Sequence, residues 1–280
     1  MKLPGDGPYD LSVLSDFAFW RIPLALMKTS NPALGQNTFN DFSRSQYGGN
    51  LIDAASRMTM GGTVNKTGIL LLCAVVTAAW TWNSFLGTHD LSVAGPALVL
   101  GGIGGFIFAM ITVFKKEWAP VTAPVYALLE GLVLGAISAV LELRYPGIAM
   151  QAVALTFGTL FVLLLAYKSG LIRVTEKFRL GVVAATGGIM VFYLIEMLLG
   201  FFGVHFTTIN GAGPIGIGVS LFIVAIAALN LVLDFDFVEQ GVAHGAPKYM
   251  EWYAAFGIMV TLVWLYLEIL RLLSKMRSRD

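Results

Sequence analysis

The run Trp252–Leu273, WYAAFGIMVTLVWLYLEILRLL, contains no proline and one glycine, Gly257, and its only charges are Glu268 and Arg271. A helix rising 1.5 Å per residue needs about 20 such residues to cross a hydrocarbon core of about 30 Å. Six further apolar runs precede it, at 68–86, 92–114, 120–143, 148–167, 180–203 and 214–234. The connections between runs are short, so neighbouring helices are expected to pack antiparallel. Backbone groups in lipid must bond within their own segment, which favours helices. The runs are too long and too evenly apolar for the alternation of a membrane barrel. The fold class is therefore an all-α polytopic membrane protein, a bundle of seven transmembrane helices.

Composition agrees with this reading. The chain has 280 residues, of which 57% are hydrophobic and 12% charged. Ordinary soluble domains carry about 25% charged residues, and a globule of this size cannot hide the apolar excess. The same figures exclude a disordered chain. One cysteine, Cys73, excludes a disulfide-stapled domain and reads as a core residue. A net charge of +1 gives no basic field for nucleic acid.

Residues 1–65 read as a polar N-terminal tail and residues 66–280 as the membrane domain. Within the tail, Leu11, Leu14, Phe17, Phe19, Ile22 and Leu24, broken by Pro23, suit either a short interfacial helix over 11–27 or a partly ordered tail that touches the bundle. Asp16 and Arg21 interrupt that stretch, so it is not a secretory signal. Thirteen of the eighteen Lys and Arg fall in the tail and in the 2–3, 4–5 and 6–7 connections. The positive-inside rule then makes the N-terminus cytoplasmic. Seven passes leave Arg271, Lys275, Arg277 and Arg279 on the outside, and a re-entrant seventh run would bring them back. The unbroken apolar stretch favours seven passes. Gly101 with Gly105, and Gly131 with Gly135, stand four apart and read as sites of close helix approach.

Ionisable residues inside spans are costly and are functional candidates. Glu130 is central in span three, Glu196 lies in span five, Asp234 and Asp236 close span six, and Glu268 lies in span seven. Arg271 shares a helix face with Glu268 at i, i+3. The other acids have no cation evident in sequence. A buried carboxylate then stays protonated, shares a proton with a second carboxylate, or binds a cation, for which hard oxygen ligands suit calcium weakly. Asp234 and Asp236 are two apart on one helix and diverge, which argues against an aspartyl dyad made from them alone. The motifs of zinc proteases, serine hydrolases and P-loop enzymes are absent, and His89, His205 and His244 lie in three different loops. The chain reads as a non-enzyme without a cofactor, calcium excepted.

The stretches Leu231-Val232-Leu233-Asp234 and Leu265-Tyr266-Leu267-Glu268-Ile269-Leu270, with the seven-span layout, resemble the Bax inhibitor-1 family. Pro124–Gly131 and Ser30-Asn31-Pro32-Ala33-Leu34 look like a bacterial branch of it. The resemblance implies a bundle with its last helix at the centre, in a bacterial cytoplasmic membrane. It also implies a pH-sensitive calcium leak gated by a carboxylate pair, here Asp234 and Glu268, with Asp236, Glu130, Arg271 and Glu196 in support. Two departures stand out: Glu replaces Asp at 268, and the segment between the acids is about ten residues longer than in the calcium-leak members. Contact between the two acids requires span six to continue past Val238, with Gly241–Pro247 as the turn. The competing expectation is a non-transporting regulator that uses the tail to bind other membrane proteins or a membrane ATP-dependent protease. A transporter ranks third, since no inverted repeat or pair of broken helices is evident.

Overall fold

The computed structural model describes residues 56–88, 91–203 and 207–279. The expected interfacial helix over 11–27, nearly all of the polar tail, and His89 and His205 lie outside the described residues. The helices are α1 (Met60–Thr88), α2 (Leu91–Phe114), α3 (Ala119–Arg144), α4 (Ile148–Lys168), α5 (Glu176–Phe201), the short α6 (Thr207–Asn210), α7 (Pro214–Ala243) and α8 (Met250–Arg277). Seven of them are long and apolar enough to cross a membrane. No strand occurs among the described residues, only an isolated antiparallel bridge between Arg57 and Pro247.

The helix limits that differ most from the sequence expectation are the start of α1 and the end of α7, and each has a local cause. α1 begins eight residues before the apolar run because Thr59 caps it, its hydroxyl accepting the Gly62 amide at 3.0 Å. α7 continues through Asp234 and Asp236 to Ala243, past Val238 with its turn at Gly245 as expected, yet the two acids still lie at different heights. It stops at Gly245, whose φ of +64° is open to glycine at little steric cost. There the Ala246 amide reaches the Gly241 carbonyl and the Gly245 amide that of Val242, both at 3.0 Å. This double bond pattern is a Schellman stop.

α8 is the central helix. Of its most apolar window 61% is buried, against 50% for α7 and 17% for α5. It packs on α1, α3, α4 and α7, whereas α5 has an extensive contact only with α7. The outward surfaces carry Trp80, Phe106, Phe161 and Phe222, all more than half exposed. Such surfaces suit lipid and not water.

α8 runs from one end of the bundle to the other. Its first turn meets the start of α1, where Lys66 pairs with Glu251. At its other end Arg277 donates to the Pro146 carbonyl at 2.6 Å and to Gln151 at 3.1 Å, between α3 and α4. The helix spans the bundle end to end, as a seventh pass requires and a re-entrant segment does not.

The glycine rows mark the closest packing. A Cβ at Gly131 or Gly135 would collide with α1 at Thr77, Ala74 and Ala78, and one at Gly101 would stand 2.6 Å from the Leu129 carbonyl on α3.

Candidate functional site: buried acids of the central helices

Asp234 is 1% exposed and sits among buried Leu231, Val232, Leu233 and Phe235 on α7. Glu268 is 3% exposed on α8. The Tyr193 hydroxyl of α5 donates to Glu268 Oε1 at 2.8 Å. Arg271 Nη1 stands 3.7 Å from the same oxygen. Arg271 also donates to the Tyr193 oxygen at 2.6 Å and lies 5.0 Å from the centre of that ring. Glu268 Oε2 is buried and accepts no hydrogen bond.

The two acids lie at different depths. Asp234 precedes the end of α7 by nine residues, while Glu268 follows the start of α8 by eighteen. Measured from the turn that joins these antiparallel helices, their heights differ by about 13 Å. Asp234 thus belongs to the half of the bundle nearer the α7–α8 turn, and Glu268 to the far half.

The remaining sequence candidates are scattered. Asp236 turns away from Asp234 and accepts Arg179 of α5 and Gln240, both at 2.6 Å on one oxygen. That cation comes from 57 residues upstream, so local sequence gave no sign of it. Glu130 is half-buried, its Oε2 facing Gly105 of α2 beside Tyr126. Glu196 accepts a hydrogen bond from Asn210 near the far end. Among the described residues no three His, Cys, Asp or Glu side chains converge to hold a metal ion.

Several polar residues escaped the sequence reading. Glu251 is fully buried at the base of α8. It ion-pairs with Lys66 and, at 2.9 Å, with Lys248. It also accepts the Thr59 amide at 2.9 Å and the Thr59 hydroxyl at 2.8 Å. The i, i+3 spacing of Lys248 and Glu251 was the available signal. The Thr59 segment is further tied to the α7–α8 turn, Met58 N to Ala246 O at 2.7 Å and Lys248 N to Ser56 O at 2.8 Å. At the opposite end Lys275 is buried, its ammonium donating to the carbonyls of Ile209 and Gly216 and, at 2.9 Å, to the Ser220 hydroxyl. Midway, Asn230 of α7 donates to Thr186 of α5 at 2.8 Å.

The family model described as Bax inhibitor 1 like matches residues 31–278. The chain belongs to the Bax inhibitor 1 like family. No curated protein and no solved structure matches it. Membership accords with a seven-helix bundle whose last helix is central.

Proposed function

We propose that this Bax inhibitor 1 like protein is a proton-sensitive cation leak that passes calcium, and not an enzyme. It acts in a bacterial cytoplasmic membrane with the N-terminal end of α1 on the cytoplasmic side. The supporting observation is the burial of two carboxylates, Asp234 and Glu268, on the two innermost helices. An ionised carboxylate in a dry interior is costly, and a proton, a cation or entering water relieves that cost. Asp234 and Glu268 form the gate, acting in series at their two depths. Protonated, they keep the interior dry. Ionised, they draw in water and weakly held calcium. Asp236, Glu130, Glu196 and Arg271 set the charge around them.

The test is calcium uptake into proteoliposomes between about pH 6 and pH 8. Uptake is expected to rise with pH as the acids lose protons. Asp234→Asn and Glu268→Gln should flatten that dependence. Absence of uptake at every pH from folded protein contradicts the reading.

A second reading, a non-transporting regulator of membrane proteins or of a membrane ATP-dependent protease, is favoured by one feature. The chain enters the bundle through Ser56–Thr59, which is bonded directly to the base of the central helix. A partner holding the tail would act on α8. If uptake is absent while removal of residues 1–55 alters partner binding or turnover, this reading prevails.

A further inference from the structure

α1 and α4 share no extensive contact with each other, although each packs against α3 and α8. A cleft of about 390 Å³ lies between them. Val75 and Ala79 of α1 and Met150 and Phe157 of α4 form its walls, and Met259 and Val263 of α8 form its floor. The wall residues are exposed and the floor residues buried. The cleft therefore opens on the lipid-facing surface and ends on the central helix. Its inner polar groups bond to protein: the Ser138 and Tyr266 hydroxyls share a hydrogen bond at 2.6 Å, and Thr156 donates to the Ala152 carbonyl at 2.8 Å. What the interior of the cleft offers a ligand is contact with hydrocarbon.

The cleft has a length and a direction. Along α1 it runs from Leu71 to Asn83, about 18 Å of helix. One leaflet holds half of a hydrocarbon core of about 30 Å, a similar depth. On α4 the lining falls within the first turns after Ile148, so the cleft reaches from mid-bundle towards the α3–α4 turn. That turn is basic. Arg144 is exposed there, and Arg277 of α8 donates to the Pro146 carbonyl and to Gln151, the neighbour of Met150. Among the described residues neither guanidinium pairs with a carboxylate. Glu142, nearby in sequence, accepts the Gly147 and Ala149 amides instead.

We propose that an anionic phospholipid of the leaflet at this end seats one acyl chain in the α1–α4 cleft, with its phosphate at Arg144 and Arg277. An empty slot would forfeit the dispersion contacts of its lining, and a chain from the surrounding bilayer restores them. Lipid tails are as apolar as leucine, so filling the slot does not by itself choose a lipid. The choice comes from the head: guanidinium groups bind phosphate through charge-assisted hydrogen bonds, and basic pockets between membrane helices hold anionic headgroups. The seated chain would join α1 to α4 and touch α8 at Met259 and Val263. The proposal is independent of the calcium leak and holds for a non-transporting regulator equally.

Photolabelling tests the site without any flux. The full chain is placed in nanodiscs of phosphatidylcholine doped with a phosphatidylglycerol or a phosphatidylcholine probe, each carrying a diazirine on one acyl chain, and adducts are located by peptide mass. Lipid-facing Phe106 of α2 is the internal control. Labelling of Met150 and Phe157 relative to Phe106 should be higher for the anionic probe by about fivefold or more, the preference that one arginine near an anionic headgroup supplies. Ala79→Trp, at an exposed wall position, fills the cleft and should bring Met150 and Phe157 down to the level of Phe106. Arg144→Ala with Arg277→Ala should abolish the difference between probes. Should loss of Arg277 unfold the protein, Arg144→Ala alone, at an exposed residue, should reduce that difference. Labelling of Met150 and Phe157 no stronger than that of Phe106 overturns the site. Equal enrichment with both probes overturns the anionic lipid. Cross-linked dimers in place of lipid adducts would give the cleft to a second copy of the chain and overturn the proposal.

Discussion

The Glu251 carboxylate gathers donors from three parts of the chain: Thr59 before α1, Lys66 within it, and Lys248 in the turn before α8. Removing one member of a buried ion pair typically costs about 3–5 kcal/mol, since the partner charge is left uncompensated. Lys248 is half exposed and Lys66 largely covered, so Lys66 bears most of that cost. Glu251→Ala is expected to lower stability by about 3 kcal/mol in thermal unfolding of the detergent-solubilised protein. Glu176→Ala, whose side chain is 67% exposed, should change it by less than about 1 kcal/mol. Gly62 sharpens the point. A Cβ there would collide with the Glu251 carboxylate, whereas Gly61 next to it faces open space. Gly62→Ala should therefore destabilise by about 1–3 kcal/mol and Gly61→Ala should not. An unchanged melting temperature for Gly62→Ala would show that the carboxylate is not held where it stands.

At the scale of elements, apolar runs announced the helices and misplaced the start of α1 and the end of α7 by eight and nine residues. α7 continues beyond Asp234 because Asp236 finds Arg179 on α5 and Gln240 one turn ahead, neither of which hydropathy weighs. α1 begins early because a threonine cap, and not an apolar residue, starts it. Glu251 was overlooked for a related reason: it lies one residue outside the apolar run that marked span seven, where a charged residue looks like an ordinary helix end. The glycine rows were legible, because spacing four apart on a helix is a geometric signal that needs no knowledge of the partner. Their partners were not. Gly131 and Gly135 receive α1, and Gly101 receives α3. Gly131→Ala should cost about 1–3 kcal/mol, because backbone atoms of α1 cannot step aside. Gly102→Ala, where nothing lies within 4 Å, should leave the melting temperature unchanged. Equal melting temperatures for the two variants would remove the close α1–α3 approach as a source of stability.

At the scale of the whole molecule, the seven-pass bundle with α8 at its centre followed from counting spans and from family resemblance. The arrangement of acids did not. Glu268 with Arg271 was readable from i, i+3 spacing, but the Tyr193 bridge between them is contributed by another helix. The depths of Asp234 and Glu268 depend on where α7 ends, nine residues beyond its apolar run, and where α8 begins, two residues before its own. With the helix limits known, Asp234 and Glu268 are two buried acids at different heights on the two innermost helices, and the proposed proton-sensitive leak rests on that arrangement. Current recorded across a planar bilayer holding the purified protein, under a calcium gradient and at acidic and then alkaline pH, tests it most directly. The account predicts a calcium current that grows as the acids ionise and that Asp234→Asn renders insensitive to pH. A bare bilayer trace at every pH, from protein shown to be folded and inserted, would contradict it.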